Sequence, residues 1–294
     1  MSIAQARAVP APFLYVKDLL LLSKPRLSTL VMVTAGGGMA LAPGQIGIGR
    51  GLSILLATAA MVGAANALNN FLERDIDGRM RRTRDRPLPA GRIDPAVALA
   101  LGIGMPMFAI PFLAFAGNGL TAALALLALV TYVVVYTPMK QRSTLALFVG
   151  AVPGAIPPLM GWTAVTGSVD AGGVALFALL FAWQLPHFIA VSMYLKEDYA
   201  RGGLKVFALV HGDATAARWI VATAILLVPV SLVLLPLGLA GPLYAAVAAV
   251  AGVGLAAYAI AGLRRADPVR WARSFFLATL LHLTLLMAAL VAGR

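Results

Sequence analysis

The sequence predicts an all-α, polytopic membrane protein in which nine transmembrane helices surround a central cavity. Of its 294 residues, 61% are hydrophobic and only 12% are charged, a composition too apolar for a soluble domain of this size. The charged residues fall between uncharged segments of about 20 residues or more, the length that a helix needs to cross a bilayer. We expect residues 1–294 to form one transmembrane domain, in which residues 1–23 are a short cytoplasmic segment with an interfacial helix before Lys24.

The number of spans follows from the uncharged intervals. Two of them are too long for a single crossing, and each is interrupted by helix-breaking residues, at Gly117 to Gly119 and between Pro236 and Pro242. Each of these two intervals is therefore expected to hold two helices, which gives nine spans. The uncharged intervals are 27–49, 51–72, 95–139, 143–169, 171–195, 219–263 and 274–293.

Basic residues predict the orientation of these spans. With the N-terminus inside, 21 of the 23 lysines and arginines lie on the inner side, and only Arg50 and Arg294 lie outside. The formal charge of +12 therefore indicates an anionic membrane surface and an anionic substrate rather than nucleic acid. We expect the cell inner membrane as the location, with the N-terminus and the active site facing the cytoplasm. The sequence has no cysteine, which excludes a thiolate nucleophile and a cysteine metal site.

One acidic motif is expected to bind a metal ion. It lies in the stretch NNFLERDIDGRMRRTRDRPL at residues 69–88. Asn69, Glu73 and Asp77 are spaced four residues apart, so their side chains share one face of a helix. Three oxygen donors on one face suit a hard divalent cation such as Mg²⁺. An ordinary charged loop is the alternative, but it accounts for the arginines better than for the acidic residues.

Basic side chains on the same inner side are expected to bind phosphate oxygens. Six arginines lie within the same stretch, and Arg82 and Arg86 are the leading candidates. Lys140, between spans 4 and 5, and Lys24, before span 1, are placed to reach the same site; plain topology signals are the alternative. A metal ion and arginines beside apolar helices indicate a diphosphate whose tail lies in the membrane.

Span 6 and the loop after it hold a second group of polar residues. Asp198 has the same mixture of charges around it, and it would complete a site for a second or shared Mg²⁺ if it lay opposite Glu73 and Asp77. A solvated loop is the alternative. Gln184 and His187 are three residues apart inside an apolar span, where polar groups are costly and usually functional. Two interpretations stay open for this pair: a hydrogen bond in helix packing, or contact with a polar or metalloporphyrin acceptor.

Together these motifs resemble the UbiA superfamily of membrane prenyltransferases and, within it, the branch that acts on heme. The Asn–acid–acid motif identifies only the superfamily, whereas WQLPHF followed by EDYARGG is more specific for the heme branch. The matching segments are SKPR at 23–26, NNFLERDIDGRMRRTRDRPLPAGR at 69–92, YTPMK at 136–140, GAIPPLMGW at 154–162, WQLPHF at 183–188 and KEDYARGG at 196–203.

The resemblance implies a UbiA-like fold and a reaction. The farnesyl group of farnesyl diphosphate is transferred to the vinyl group of heme B with addition of water, which gives heme O. It implies Mg²⁺ as cofactor, membrane lipid around the helices, and a heme A synthase or terminal oxidase under assembly as the partner that uses the product. The implied catalytic and metal residues are Asn69, Glu73, Asp77 and Asp198; the diphosphate ligands are Arg82, Arg86, Lys140, Lys196 and Lys24; the heme-binding residues are Trp183, Gln184 and His187.

The chain departs from the superfamily pattern at three places. Glu73 stands where Asp is common, and it keeps the carboxylate with one more methylene. The second loop commonly has two Asp four residues apart, but Gly202 follows Asp198 at that spacing, so Lys196 is expected to take part of the diphosphate charge. Leu147 stands where the heme branch commonly has Asn.

Two other functions are compatible with parts of the sequence. A prenyltransferase of quinone biosynthesis, acting on an aromatic acceptor, would share the Asn–acid–acid motif, but WQLPHF disfavours it. A transporter or an assembly protein without catalysis is the alternative from another class. Two loops of mixed charge on one face are not what ion or sugar transport requires.

Overall fold

The computed structural model describes residues 12–293, and these residues form helices and turns without a β-strand. This confirms the all-α class. The predicted N-terminal segment is described only from residue 12 onward, where the expected helix before Lys24 is present. Residues 1–11 of the predicted N-terminal segment lie outside the described residues.

Thirteen helices follow one another along the described chain, with a π-helical turn at Thr131–Tyr136 between α5 and α6. The helices are α1 (Pro12–Leu22), α2 (Pro25–Leu41), α3 (Ile48–Asp77), α4 (Pro95–Ala116), α5 (Gly119–Val130), α6 (Thr137–Met139), α7 (Ala146–Thr166), α8 (Ala171–Tyr194), α9 (Lys196–Arg201), α10 (Phe207–His211), α11 (Asp213–Leu232), α12 (Pro242–Gly262) and α13 (Pro268–Ala292).

All nine predicted spans are helical within the described residues. Eight helices are long and apolar enough to cross a membrane, with Gly119–Met139 counted as one. The other, α2, has 17 residues and is about 26 Å long, a little less than the hydrocarbon thickness of about 30 Å. The chain is therefore a multi-pass membrane protein.

Polar caps set the starts of several spans. Asp94, Asn118 and Asp170 precede α4, α5 and α8, and each side chain accepts hydrogen bonds from backbone amides of the first turn. Asp170 also accepts from the indole Nε1 of Trp162 at 3.0 Å, which links the end of α7 to the start of α8.

The interior of the bundle lies along α7 and α8, the two most buried spans. α2 packs on α7 at glycines: a Cβ at Gly38 would lie 2.0 Å from the carbonyl oxygen of Pro158, and one at Gly161 would lie 1.8 Å from that of Ala35. Because only hydrogen fits at these positions, the two backbones approach closely, as small residues allow in membrane helices.

The acidic motif lies on a helix as predicted, whereas the segment after span 6 is not a simple loop. α3 continues through Asp77, so Asn69, Glu73 and Asp77 all lie on one 30-residue helix. The loop predicted after span 6 contains the short helices α9 and α10 and leads into the first turn of α11. Gly203 and Gly212, both with positive φ, follow the two short helices and allow the chain to turn there.

Candidate functional site

A cavity of about 260 Å³ opens at the end of the bundle where α3 terminates. Its walls come from α3, the turn after α3, the π-helical turn, α8 and α9. The lining residues that bear on its chemistry are Lys24, Asn69, Glu73, Asp77, Arg82, Arg86, Tyr132, Tyr136, Lys140, His187, Tyr199 and Lys205. The structure therefore brings together most of the residues that the sequence predicts for the site.

The acidic face of α3 lines this cavity as predicted. Asn69 Nδ2 donates to Glu73 Oε2 at 2.9 Å and to Thr137 Oγ1 at 3.2 Å. Glu73 Oε1 pairs with Lys140 Nζ, and Asp77 Oδ2 accepts from Arg86 Nη1 at 2.7 Å. Asn69, Glu73 and Asp77 are all buried, so the two carboxylates face basic partners rather than water.

Basic side chains surround these carboxylates. Lys24 Nζ donates to Asn69 Oδ1 at 3.0 Å. Burial, with the nearby charges of Arg86 and Lys140, lowers the pKa of Lys24 to about 7. Burial alone would lower the pKa of Lys140, but Tyr136 and the Glu73 carboxylate outweigh it and raise that pKa. The cavity thus crowds cations together, an arrangement that an anionic ligand would stabilise.

Asp198 does not line this cavity. Its Oδ1 accepts from the backbone amide of Arg81 at 2.7 Å and from Arg201 Nη2 at 3.0 Å, and its Oδ2 accepts from the amide of Arg82 at 3.2 Å. Asp198 therefore ties α9 to the turn that carries Arg82, a side chain that does line the cavity. Lys196 also lies away from it, where its Nζ donates to Asp213 Oδ1 at 2.9 Å.

We expect Asp198→Asn to loosen the turn that carries Arg82. Burial would raise the pKa of Asp198, but the hydrogen bonds from Arg201 and from the two amides hold it below its usual 3.8. The ionised Asp198 side chain therefore holds the turn fully at pH values above 3.8. This stabilisation is lost as pH falls through the lowered pKa of Asp198. Hydrogen exchange at the amides of Arg81 and Arg82 should rise about 10-fold in the variant, the loss of one charge-assisted bond.

Glu197→Gln is the matched control for that experiment. Glu197 neighbours Asp198 on α9, but its side chain is exposed and lies 4.0 Å from Arg201. It should leave the exchange of both amides at the wild-type rate. Unchanged exchange in Asp198→Asn would contradict the role of Asp198 in holding the turn that carries Arg82.

The three residues predicted to contact heme occupy different places. Gln184 Nε2 donates to the carbonyl oxygens of Ala151 and Leu180, both at 3.0 Å, which agrees with the helix-packing interpretation. Trp183 Nε1 donates to the carbonyl oxygen of Thr279 at 2.8 Å and is absent from the cavity wall. His187 alone of the three lines the cavity.

Sequence reasoning missed part of the cavity wall. Tyr132 and Tyr136 reach it from the π-helical turn, Tyr199 from α9, and Lys205 from the segment after α9. Two tyrosines four residues apart at the inner end of an apolar span were the available signal, because aromatic residues with a polar tip mark such positions. Lys205 joins Lys140 through its backbone amide, which donates to the Lys140 carbonyl at 2.8 Å.

The donor set fits a magnesium ion that shares its ligands with a substrate. No three acidic, histidine or cysteine side chains converge on a metal-sized site anywhere in residues 12–293. The cavity offers instead the amide oxygen of Asn69 with the carboxylates of Glu73 and Asp77. Magnesium is commonly held by one or two carboxylates, with phosphate and water oxygens completing the octahedron.

Some known proteins are similar to this chain in sequence, and others are similar to it in fold. The model of the UbiA prenyltransferase family matches residues 30–281. The protoheme IX farnesyltransferase of Anaeromyxobacter dehalogenans (strain 2CP-C) is 68% identical over 294 residues, which cover 100% of this chain and 99% of that protein.

Solved structures resemble the chain in fold. A digeranylgeranylglyceryl phosphate synthase structure superposes with a TM-score of 0.80 at 16% identity and covers 95% of this chain and 98% of its own. A UbiA homologue from Archaeoglobus fulgidus, bound to GPP and Mg²⁺, superposes with a TM-score of 0.64 at 18% identity, covering 93% of this chain and 99% of its own.

Proposed function

The chain belongs to the UbiA prenyltransferase family, and from this premise we propose that it transfers the farnesyl group of farnesyl diphosphate to the vinyl group of heme B. The single observation that carries the proposal is the cavity wall itself. Asn69, Glu73 and Asp77 lie there beside Arg86 and Lys140, at the mouth of an apolar helical bundle. The relative from Anaeromyxobacter dehalogenans, named for farnesylation of protoheme IX, supports the choice of substrates.

Lys24, Arg82, Arg86 and Lys140 hold the diphosphate in this proposal. Arg86 offers a planar guanidinium that can bind two phosphate oxygens at once, while Lys24 and Lys140 act as point charges. The negative charge of the diphosphate would also oppose the burial and the repulsion by Arg86 and Lys140 that lower the pKa of Lys24. These cations stabilise the negative charge that develops on the leaving group as the allylic C–O bond breaks.

Asn69, Glu73 and Asp77 would hold Mg²⁺, which when bound supplies further positive charge to the diphosphate oxygens. The A. fulgidus homologue, which is bound to GPP and Mg²⁺, supports the use of magnesium together with a prenyl diphosphate. In this proposal Asp198 positions the turn that carries Arg82, and Lys196 pairs with Asp213 of α11. Neither is a ligand, since neither side chain lines the cavity.

The chemistry needs no nucleophilic side chain from the protein. The diphosphate leaves with the electron pair of the C–O bond, and C1 of the farnesyl group forms a bond with the terminal vinyl carbon of heme B. Water then adds to the inner vinyl carbon and releases one proton. Apolar walls hold the isoprenoid and keep water from the allylic cation until the new bond has formed.

We also propose the setting of the reaction. The excess of basic residues at the cavity end supports a position on the cytoplasmic side of the cell inner membrane. The product, heme O, would pass to a heme A synthase or to a terminal oxidase under assembly. Membrane lipid surrounds the bundle, and nucleic acid has no role.

One assay tests the reaction. The full chain is purified in detergent and supplied with heme B, farnesyl diphosphate and Mg²⁺. The porphyrins are then separated and their masses are determined by mass spectrometry. Farnesylated, hydrated heme is the expected product. Prenylation of an aromatic acid such as 4-hydroxybenzoate, with heme left unchanged, would refute heme as the acceptor; absence of turnover with either acceptor would refute catalysis.

A further inference from the structure

One hydrogen bond holds His187 against α13. Its Nδ1 lies 2.8 Å from Thr279 Oγ1. The same hydroxyl oxygen lies 2.6 Å from the carbonyl oxygen of Phe276. A carbonyl oxygen can only accept, so the hydroxyl of Thr279 gives its single hydrogen to Phe276. Thr279 must therefore accept from His187, and the proton of the imidazole lies on Nδ1.

The second ring nitrogen of His187 is left with a lone pair. In a neutral imidazole one nitrogen donates and the other accepts, so Nε2 is unprotonated when Nδ1 carries the hydrogen. Within residues 12–293, no side chain or backbone group forms a hydrogen bond with Nε2. His187 lines the cavity, whereas both ring nitrogens of His282 are enclosed in the bundle.

Aromatic neighbours fix the plane of the His187 ring. Trp183 stacks on it, with ring centroids 4.7 Å apart and an angle of 28° between the planes. Phe276 lies at the same centroid distance at 40°. The indole of Trp183 is itself anchored to the backbone of Thr279. The lone pair therefore has a fixed direction, which lowers the entropy lost when it binds a ligand.

The cavity also provides apolar surface for a flat, apolar ligand. Phe188 and Val191, on the same helix as His187, line it together with Leu147 and Phe207. The charged residues enter the cavity from α3 and from the loops. One cavity thus combines a polar wall for an anion with an apolar wall that carries a single nitrogen ligand.

From this network we infer that His187 Nε2 binds the iron of the heme acceptor, and that Thr279 is a positioning residue that fixes the required tautomer. The inference rests on the proposed function, because it assigns the atom that holds heme B during transfer. Neutral imidazole is a common axial ligand of heme iron, and a metal-bound histidine almost always donates its other N–H to a fixed acceptor. Thr279 supplies that acceptor here.

Ferric heme titration tests the inference without turnover. The full chain in detergent is titrated with hemin in the absence of farnesyl diphosphate and Mg²⁺, and absorption and electron paramagnetic resonance spectra are recorded. The wild type should give a saturable spectrum of one histidine-ligated heme. His187→Ala should lose that spectrum, and added imidazole should restore it by entering the vacated space.

Substitutions of Thr279 separate positioning from packing. Thr279→Val keeps the shape but removes the acceptor, and it should weaken hemin binding about 10-fold to 100-fold and shift the iron–histidine vibration of the ferrous complex. Thr279→Ser retains the hydroxyl and should restore both. Thr284→Val is the matched control, because Thr284 lies on the same helix and donates to the Leu280 carbonyl at 2.9 Å, but it is exposed. It should bind hemin as the wild type does.

The outcomes distinguish this inference from the proposed function. An unchanged histidine-ligated spectrum in His187→Ala, or wild-type binding and vibration in Thr279→Val, would overturn the inference. If wild-type protein farnesylates heme B while such a result is obtained, the proposed function stands and only the iron ligand is wrong. If the wild type neither binds hemin at one site nor farnesylates heme B, both fall together.

Discussion

Asp77→Ala is expected to reduce prenyl transfer by about 10³-fold or more while the protein stays folded. The change removes a buried carboxylate from the proposed magnesium site and leaves Arg86 without its partner at 2.7 Å. Both effects weaken the stabilisation of the leaving diphosphate, and loss of one such preorganised group costs catalysis about 10²-fold to 10³-fold. The measurement is the rate of farnesylated heme formation at saturating Mg²⁺.

Two further variants make this result specific. Asp77→Asn keeps the shape of the side chain, so a similar loss there would show that the negative charge is what matters. Asp75→Ala is the control, because Asp75 lies two residues away on α3, is exposed, and makes only a 3.9 Å contact with Arg74. Its rate should equal that of the wild type. A wild-type rate in Asp77→Ala would rule out a magnesium site on this face of α3.

Gly161→Ala is expected to separate α2 from α7 and to destabilise the whole bundle. The added Cβ would lie 1.8 Å from the carbonyl oxygen of Ala35 and 2.9 Å from the backbone nitrogen of Met39, and neither group can turn aside. Overpacking of a close interface costs about 1–3 kcal/mol, and more where backbone is displaced. Thermal unfolding in detergent, followed by tryptophan fluorescence, should show a fall of several degrees in Tm.

Gly37→Ala is the matched control for helix packing. Gly37 lies on α2 beside Gly38, but a Cβ there would meet nothing within 4 Å. Alanine also favours helix over glycine, so Tm should stay the same or rise slightly. Gly38→Ala should behave like Gly161→Ala, since its Cβ would lie 2.0 Å from the Pro158 carbonyl oxygen. Equal Tm values for Gly37→Ala and Gly161→Ala would disprove the close contact.

Local periodicity was enough to predict the spans and the acidic face of α3. Charge-free intervals determine where helices lie because burial in lipid excludes charge, and a spacing of four residues determines a shared face whatever surrounds the helix. Asn69, Glu73 and Asp77 were therefore correctly placed on one helix face. The same reasoning gave Lys24 and Lys140 their inner-side positions, and both side chains line the cavity.

Residues whose direction depends on tertiary contacts could not be predicted in this way. Asp198 follows a break between α8 and α9. The direction of its side chain depends on backbone amides more than 110 residues away in the sequence. Gln184 turns toward α7 because Gly154 has no side chain there; a Cβ would lie 2.0 Å from Gln184 Oε1. The π-helical turn that presents Tyr132 and Tyr136 has no sequence signature that separates it from an ordinary helix.

The balance of charge around the cavity determines how its ligands can arrive. Five basic side chains line the wall against two carboxylates, and both carboxylates already have basic partners: Lys24, Arg82, Arg86, Lys140 and Lys205 against Glu73 and Asp77. A lone divalent cation entering this electropositive chamber is repelled. A magnesium–diphosphate chelate carries net negative charge and is attracted. The fold therefore favours delivery of metal and prenyl donor as one ionic complex over stepwise loading that begins with the metal.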